Sequence, residues 1–173
     1  FALFNPALGV TTVIPDMDPT KSAEVNPAYV VESIQTHGVT NAFGSPTIWK
    51  RVAPYCVSNG IRLPSIKRIL MAGAPVPPEL IETLKKHVLD DDAEVLTPFG
   101  ATEAMPLTSI TGAEIVGETA ALTSLGRGMC VGYPLPGEKI GNRTFDGTEA
   151  FAIFPGDLPA DPQEAMSGWK TVD

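Results

Sequence analysis

Between Val39 and Phe99 the chain alternates β-branched apolar runs with helix-period segments, and a glycine-bearing turn closes each run. Val39 to Phe43 reads as a strand, followed by Gly44-Ser45-Pro46 and a helix from about Thr47 to Ser58, with Ile48, Val52 and Tyr55 at helical spacing and Gly60 beyond its end. Ile66 to Met71 is a second strand, broken by Ala72-Gly73-Ala74-Pro75. Pro77-Pro78 opens a further helix that runs to about Val88 with Leu80, Ile81, Leu84 and Val88 inward. Glu94 to Phe99 is the third strand. Strand, helix, strand, helix, strand with short connections is the pattern of crossover units, which predicts an α/β fold with a mostly parallel sheet and flanking helices. All three turns then fall at strand carboxyl ends, the edge where such sheets take their ligands.

The third turn is the richest chemically. Thr97-Pro98-Phe99-Gly100-Ala101-Thr102-Glu103 sets an aromatic, a glycine, a small residue, a hydroxyl and a carboxylate in unbroken order. Phe99 offers a flat face for a base, and Gly100 lets backbone approach a ligand closely. Thr102 supplies a hydroxyl for phosphate or carboxylate oxygens, and Glu103 a hard oxygen for Mg²⁺. Thr102 is equally suited to capping a turn, and Glu103 to lying on the surface.

The flanks are less decisive. Leu8 to Ile14 reads as a buried strand or an apolar helix end. Asn26-Pro27 starts a helix carrying Tyr29, Val30, Val31 and Ile34 on one face and ending at Gly38. Met105 to Ile110 suits a strand, Glu114 to Leu122 a helix, and Gly126 to Gly137 a loop with one short strand. Beyond Gly141, only Ala150 to Phe154 has strand character.

The 173 residues suffice for one domain, and 43% of them are hydrophobic, so a packed core is expected. A net charge of −8 argues against binding a nucleic-acid polymer, because no basic surface would neutralise its phosphates. Two cysteines, Cys56 and Cys130, have neither zinc-site nor disulfide-framework spacing and suit a reducing cytoplasm. No apolar run has the length of a transmembrane helix. Asp90-Asp91-Asp92 reads as a solvated loop rather than a metal cluster, His37 and His87 as helix-end residues, and Trp49 and Trp169 as packing residues. The start at Phe1, within an apolar run, and the stop at Asp173 read as an excerpt of a longer protein.

Phe99-Gly100-Ala101-Thr102-Glu103 resembles the tyrosine-glycine-x-threonine-glutamate motif of adenylate-forming enzymes, the acyl-CoA synthetases and their relatives. Ala72-Gly73-Ala74-Pro75-Val76 resembles the family's adenine-binding segment, Val39 to Pro46 the strand and turn beside its acyl pocket, and Val131 to Gly137 its glycine-x-proline-leucine-proline-glycine loop. The four occur in family order. The texture of Phe1 to Pro19 and of Gly100 to Ala104 is similar to the olefin-biosynthesis branch, which closes β-hydroxy acids into β-lactones.

The resemblance implies activation of a fatty or β-hydroxy fatty acid by ATP and Mg²⁺ to an acyl-AMP. It implies that Gly73, Ala74 and Pro75 line the adenine slot, with Phe99, Gly100 and Ala101 beside it. Thr102 and Glu103 would act on the phosphates, Glu103 through the metal, and Phe43, Gly44, Met71 and Met105 would line the acyl tunnel, although methionines at such places more often belong to a core than to a tunnel. Gly168-Trp169-Lys170-Thr171-Val172-Asp173 resembles the family's ribose-binding context, making Asp173 the ribose ligand. Residues 1–140 would then be the central α/β part of the AMP-binding domain and 141–173 an irregular segment with short strands. The family's lysine-bearing phosphate loop and its carboxyl-terminal lysine have no counterpart in these residues, so this stretch alone is expected to be inactive. A cytoplasmic protein is expected, with self-association left open. The rival reading is a nucleotide-binding or interaction module without catalysis.

Overall fold

The computed structural model describes residues 4–7, 9–101, 104–135, 138–145 and 148–155. A short helix, α1 (Phe4–Ala7), leads into an extended stretch and a 3₁₀ turn (Pro19–Glu24). Then follow α2 (Pro27–His37), β1 (Asn41–Gly44), α3 (Pro46–Asn59), β2 (Arg68–Met71) and α4 (Pro78–Thr83), which a π-helical turn (Leu84–Val88) continues. Next come β3 (Glu94–Ala101) and β4 (Ala104–Thr111). A helical segment is built from α5 (Gly112–Glu114), a π turn (Ile115–Thr119) and α6 (Ala120–Ser124). The strands β5 (Tyr133–Pro134), β6 (Glu138–Phe145) and β7 (Thr148–Pro155) complete the order.

The helix ends follow from local chemistry. The Asn26 side chain accepts a hydrogen bond from the Ala28 amide at 3.1 Å, and Pro27 occupies the first turn, where its missing N–H costs nothing. Gly38 and Gly60 close α2 and α3 in the left-handed region, at φ 56° and 62°. Pro54 inside α3 sits on its exposed side.

The main sheet has the order β1-β2-β3-β4-β5. β1, β2 and β3 are parallel, as the crossover pattern predicts. β4 and β5 run antiparallel to their neighbours, so the sheet is mixed. β6 and β7 pair over their whole length as a separate antiparallel hairpin, extending well beyond the short run legible in the sequence.

Parallel strands buried by crossover helices explain the core. Ile69 of β2 and Val95 of β3 meet Val52, Ala53 and Cys56 of α3 and Leu84 and Val88 beyond α4, all 2% exposed or less. Each such aliphatic side chain contributes about 1.5–3 kcal/mol on burial. Gly112 makes this packing possible where α5 leaves the sheet: a Cβ there would stand 2.7 Å from Ile81 Cγ2 and 3.2 Å from Val95 Cβ. The run Leu8 to Ile14, expected as a strand or helix end, forms neither over its described residues, 9–14. Val10 and Ile14 are half or more exposed, and the Val10 amide donates to the Asn5 carbonyl at 2.8 Å rather than to a neighbouring strand.

Candidate functional site

The register fixes which turns meet. Gly44 is level with Met71, and Leu70 with Leu96. Gly44-Ser45-Pro46 and Ala72 to Pro75 therefore leave β1 and β2 at one edge, whereas Pro98 to Gly100, expected as the turn that closes β3, lie within that strand, because pairing with β4 carries it on to Ala101. β3 outruns β2 there: its pairing with β2 ends at Leu96, whereas its pairing with β4 continues through Phe99. A register irregularity between Phe99 and Ala101 re-aims the chain at Gly100.

The edge is open where a ligand would need it open. Gly73 holds φ +89°, which L side chains rarely adopt, and no atom lies within 4 Å of where its Cβ would be. Ala74 and Pro75 are exposed, and Phe99 is 41% exposed despite lying in a strand. Gly44 is tight instead: a Cβ would stand 3.3 Å from Trp49 Nε1. Ala101 and Ala104 pair across β3 and β4; Thr102 and Glu103, between them, lie outside the described residues, as does Asp173. Met105 is placed in β4, its side chain not described.

The acyl candidates separate. Met71 is 1% exposed and belongs to the core. Phe43 is 45% exposed and borders a cavity of about 780 Å³ beside β1. Residues 10–15, Val30, Ile34, Ile48 and Trp49 share that wall. Trp49 is a packing residue of the core, as expected, and its indole N–H is buried without a hydrogen-bond partner, as is the Ser45 hydroxyl. Its place after a turn proline was legible, but the stranded N–H was not, because sequence does not show burial. A second cavity of about 280 Å³ lies between α4 and the segment Ile115–Ser124, bordered by Thr97 and Cys130.

Charge gathers at the opposite, amino-terminal edge. Lys67 Nζ meets Asp92 at 2.9 Å and holds its carboxyl below the usual range. Lys85 donates to the Asp91 and Ala93 carbonyls at 2.9 and 2.6 Å, and Arg62 donates to the Leu89 carbonyl and Asp90. The aspartate run is therefore a tied surface turn, and no metal-competent group of three or more ligands exists among the described residues. His37 and His87 are exposed.

The fold defines the class: an α/β protein with a mixed five-stranded sheet and flanking helices, its glycine turn and exposed aromatic at the carboxyl ends of parallel strands, where such sheets commonly take ligands. The chain belongs to the AMP-binding enzyme family, which it matches over residues 2–141. It is 46% identical over 132 residues to an olefin beta-lactone synthetase of Stenotrophomonas maltophilia, covering 76% of this chain and 23% of that protein. It is 34% identical over 83 residues to a long-chain-fatty-acid–CoA ligase of Thermus thermophilus, covering 48% of this chain and 15% of that one. The fold is similar to o-succinylbenzoate coenzyme A synthetase of Bacillus subtilis in complex with ATP and magnesium ion, with a TM-score of 0.52 and 23% identity over 73% of this chain and 23% of that one. The chain thus spans about a quarter or less of the length of these relatives. No helix among the described residues is long and apolar enough to cross a membrane.

Proposed function

We propose that this chain is the adenylate-holding part of an enzyme that activates a fatty or β-hydroxy fatty acid with ATP. The observation that supports the reading is that the open Gly73 turn and the exposed Phe99 both lie toward the carboxyl ends of the neighbouring parallel strands β2 and β3, in a member of the AMP-binding family. Phe99 stacks on the adenine, and the backbone of Gly73, Ala74 and Pro75 lines the slot. Gly100 and Ala101 bring β3 past the phosphates, Thr102 donates to the α-phosphate or the acyl carboxylate, and Asp173 takes the ribose.

The substrate carboxylate attacks the α-phosphorus, and the bond to pyrophosphate breaks, leaving acyl-AMP. Two anions must meet, yet Gly44–Pro46, Ala72–Val76 and Thr97–Gly100 contain no Lys or Arg. Glu103 would hold Mg²⁺, which with the phosphate oxygens needs only one or two protein carboxylates. Held by Glu103, Mg²⁺ would contribute charge neutralisation that these turns lack. The acyl chain lies along the apolar wall of Phe43, Ile48 and Trp49 rather than against Met71. For a β-hydroxy acid, the hydroxyl oxygen attacks the acyl carbonyl, its proton leaves, and AMP departs as the β-lactone closes. The similarity to olefin beta-lactone synthetases supports this second step.

The test is acid-dependent pyrophosphate release by the parent enzyme. The expected result is release that requires a long-chain acid and falls about 100-fold or more in Glu103→Gln, the scale of losing an electrostatic stabiliser. Release indifferent to the acid, or to Glu103, would contradict the reading.

A further inference from the structure

Thr108 is the buried polar side chain of the described fold, 1% exposed, and it sits at a junction. On one side it pairs with Phe99 of β3, on the other with Pro134 of β5. Directly paired residues point to the same face of a sheet, so Phe99, Thr108 and Pro134 form one row. The Thr108 hydroxyl donates to the Val131 carbonyl at 2.5 Å. Immediately after that carbonyl, Gly132 turns at φ +85°, packed on the Ser109 backbone, and Leu135 then donates its amide to the Leu107 carbonyl at 2.9 Å. The Thr108 hydroxyl is thus the side-chain tie, beside the backbone pairing, that docks the segment Val131–Leu135 on β4 at the level of Phe99.

We propose that Thr108 is a positioning residue for adenylate binding: by holding the Val131 carbonyl it fixes β5 as the third member of the row that begins at Phe99, and so sets the wall beside the base. It acts through Phe99 and Pro134 and does not itself touch the nucleotide. The proposal rests on the reading that Phe99 faces adenine. Replacement by valine keeps the volume, removes the donor and takes from a part-buried carbonyl its hydroxyl partner, whereas serine keeps the donor.

The test is binding of a non-hydrolysable acyl-AMP mimic to the full-length parent enzyme, together with steady-state kinetics. In Thr108→Val we expect the mimic to bind about 3- to 10-fold more weakly and the KM for ATP to rise by a similar factor with kcat little changed. Thr108→Ser should restore both to within about 2-fold. Wild-type affinity and KM in Thr108→Val, or failure of serine to restore them, overturns the proposal. Hydrogen exchange in the wild type gives a second readout that does not need the valine variant to fold: the mimic should slow exchange in residues 131–135 together with that around Phe99. Slowing at Phe99 alone overturns the role of Thr108 while leaving the adenylate reading intact. A wild-type parent that does not bind the mimic overturns both.

Discussion

Gly132 lies against the backbone of Ser109 so closely that a Cβ would stand 2.1 Å from the Ser109 carbonyl oxygen. The neighbour is backbone, so nothing there can swing aside. Gly132 also has φ +85°, so two independent penalties coincide. Gly128, at φ +81° with no atom within 4 Å, carries only the conformational one. Gly128→Ala should therefore cost about 1 kcal/mol, and Gly132→Ala clearly more, about 2–3 kcal/mol or outright displacement of β5. Urea unfolding midpoints of the two variants decide it; equal losses would show that the close approach to Ser109 is not needed.

The two cysteines should differ in reactivity. Cys56 is fully buried in α3, and burial pushes its thiol up from 9.0 to about 11; Cys130 is exposed. Alkylation of the native protein at pH 8, mapped by peptide mass, should label Cys130 and spare Cys56 until denaturant is added. Folding keeps the Cys56 proton bound, so its contribution to stability is full below pH 9.0 and is lost as pH rises toward about 11. Early labelling of Cys56 would contradict the core assignment.

Acid should loosen the start of α5. Thr111 and Glu114 form a reciprocal cap: Glu114 Oε2 accepts from the Thr111 amide at 2.9 Å and from its hydroxyl at 2.7 Å, while Thr111 Oγ1 accepts from the Glu114 amide at 3.2 Å. The Thr111 amide and then its hydroxyl hold the Glu114 carboxyl below its ordinary value of 4.5. A depressed carboxylate stabilises the fold above that value and stops doing so as pH falls through the lower folded one. Glu114→Gln should be less stable than the wild type at pH 7, and the gap should narrow on acidification below 4.5. A gap independent of pH would show that the charge contributes nothing.

Legibility followed the strength of local signals. The turns after β1 and β2 were readable because proline and glycine punctuate apolar runs of strand length, and parallel pairing then forces them to one edge; Pro98 and Gly100 gave the same signal inside β3, where pairing with β4 overrides it. The ends of α2 and α3 were readable because Gly38 and Gly60 mark them. The β6–β7 hairpin was only partly readable, since Gly141 and Asn142 weaken the strand signal that cross-strand pairing overrides. Met71 illustrates the limit at the site: a methionine at a strand end is more often core than tunnel, yet either fits the sequence, and only packing shows it to be core. Trp49 and Thr108 carry no motif, because what distinguishes them is a buried polar atom and its partner, or lack of one.

The measurement closest to the central claim is the affinity of the parent enzyme for a non-hydrolysable acyl-AMP mimic, compared across Phe99→Ala, Phe99→Tyr and Lys67→Ala. Losing an aromatic platform costs about 1–3 kcal/mol per stacked base, so Phe99→Ala should bind about 5- to 150-fold more weakly. Phe99→Tyr should stay near wild type, and Lys67→Ala, at the opposite edge of the sheet, should change nothing. Unaltered affinity in Phe99→Ala, or a loss in Lys67→Ala as large as in Phe99→Ala, would contradict the account.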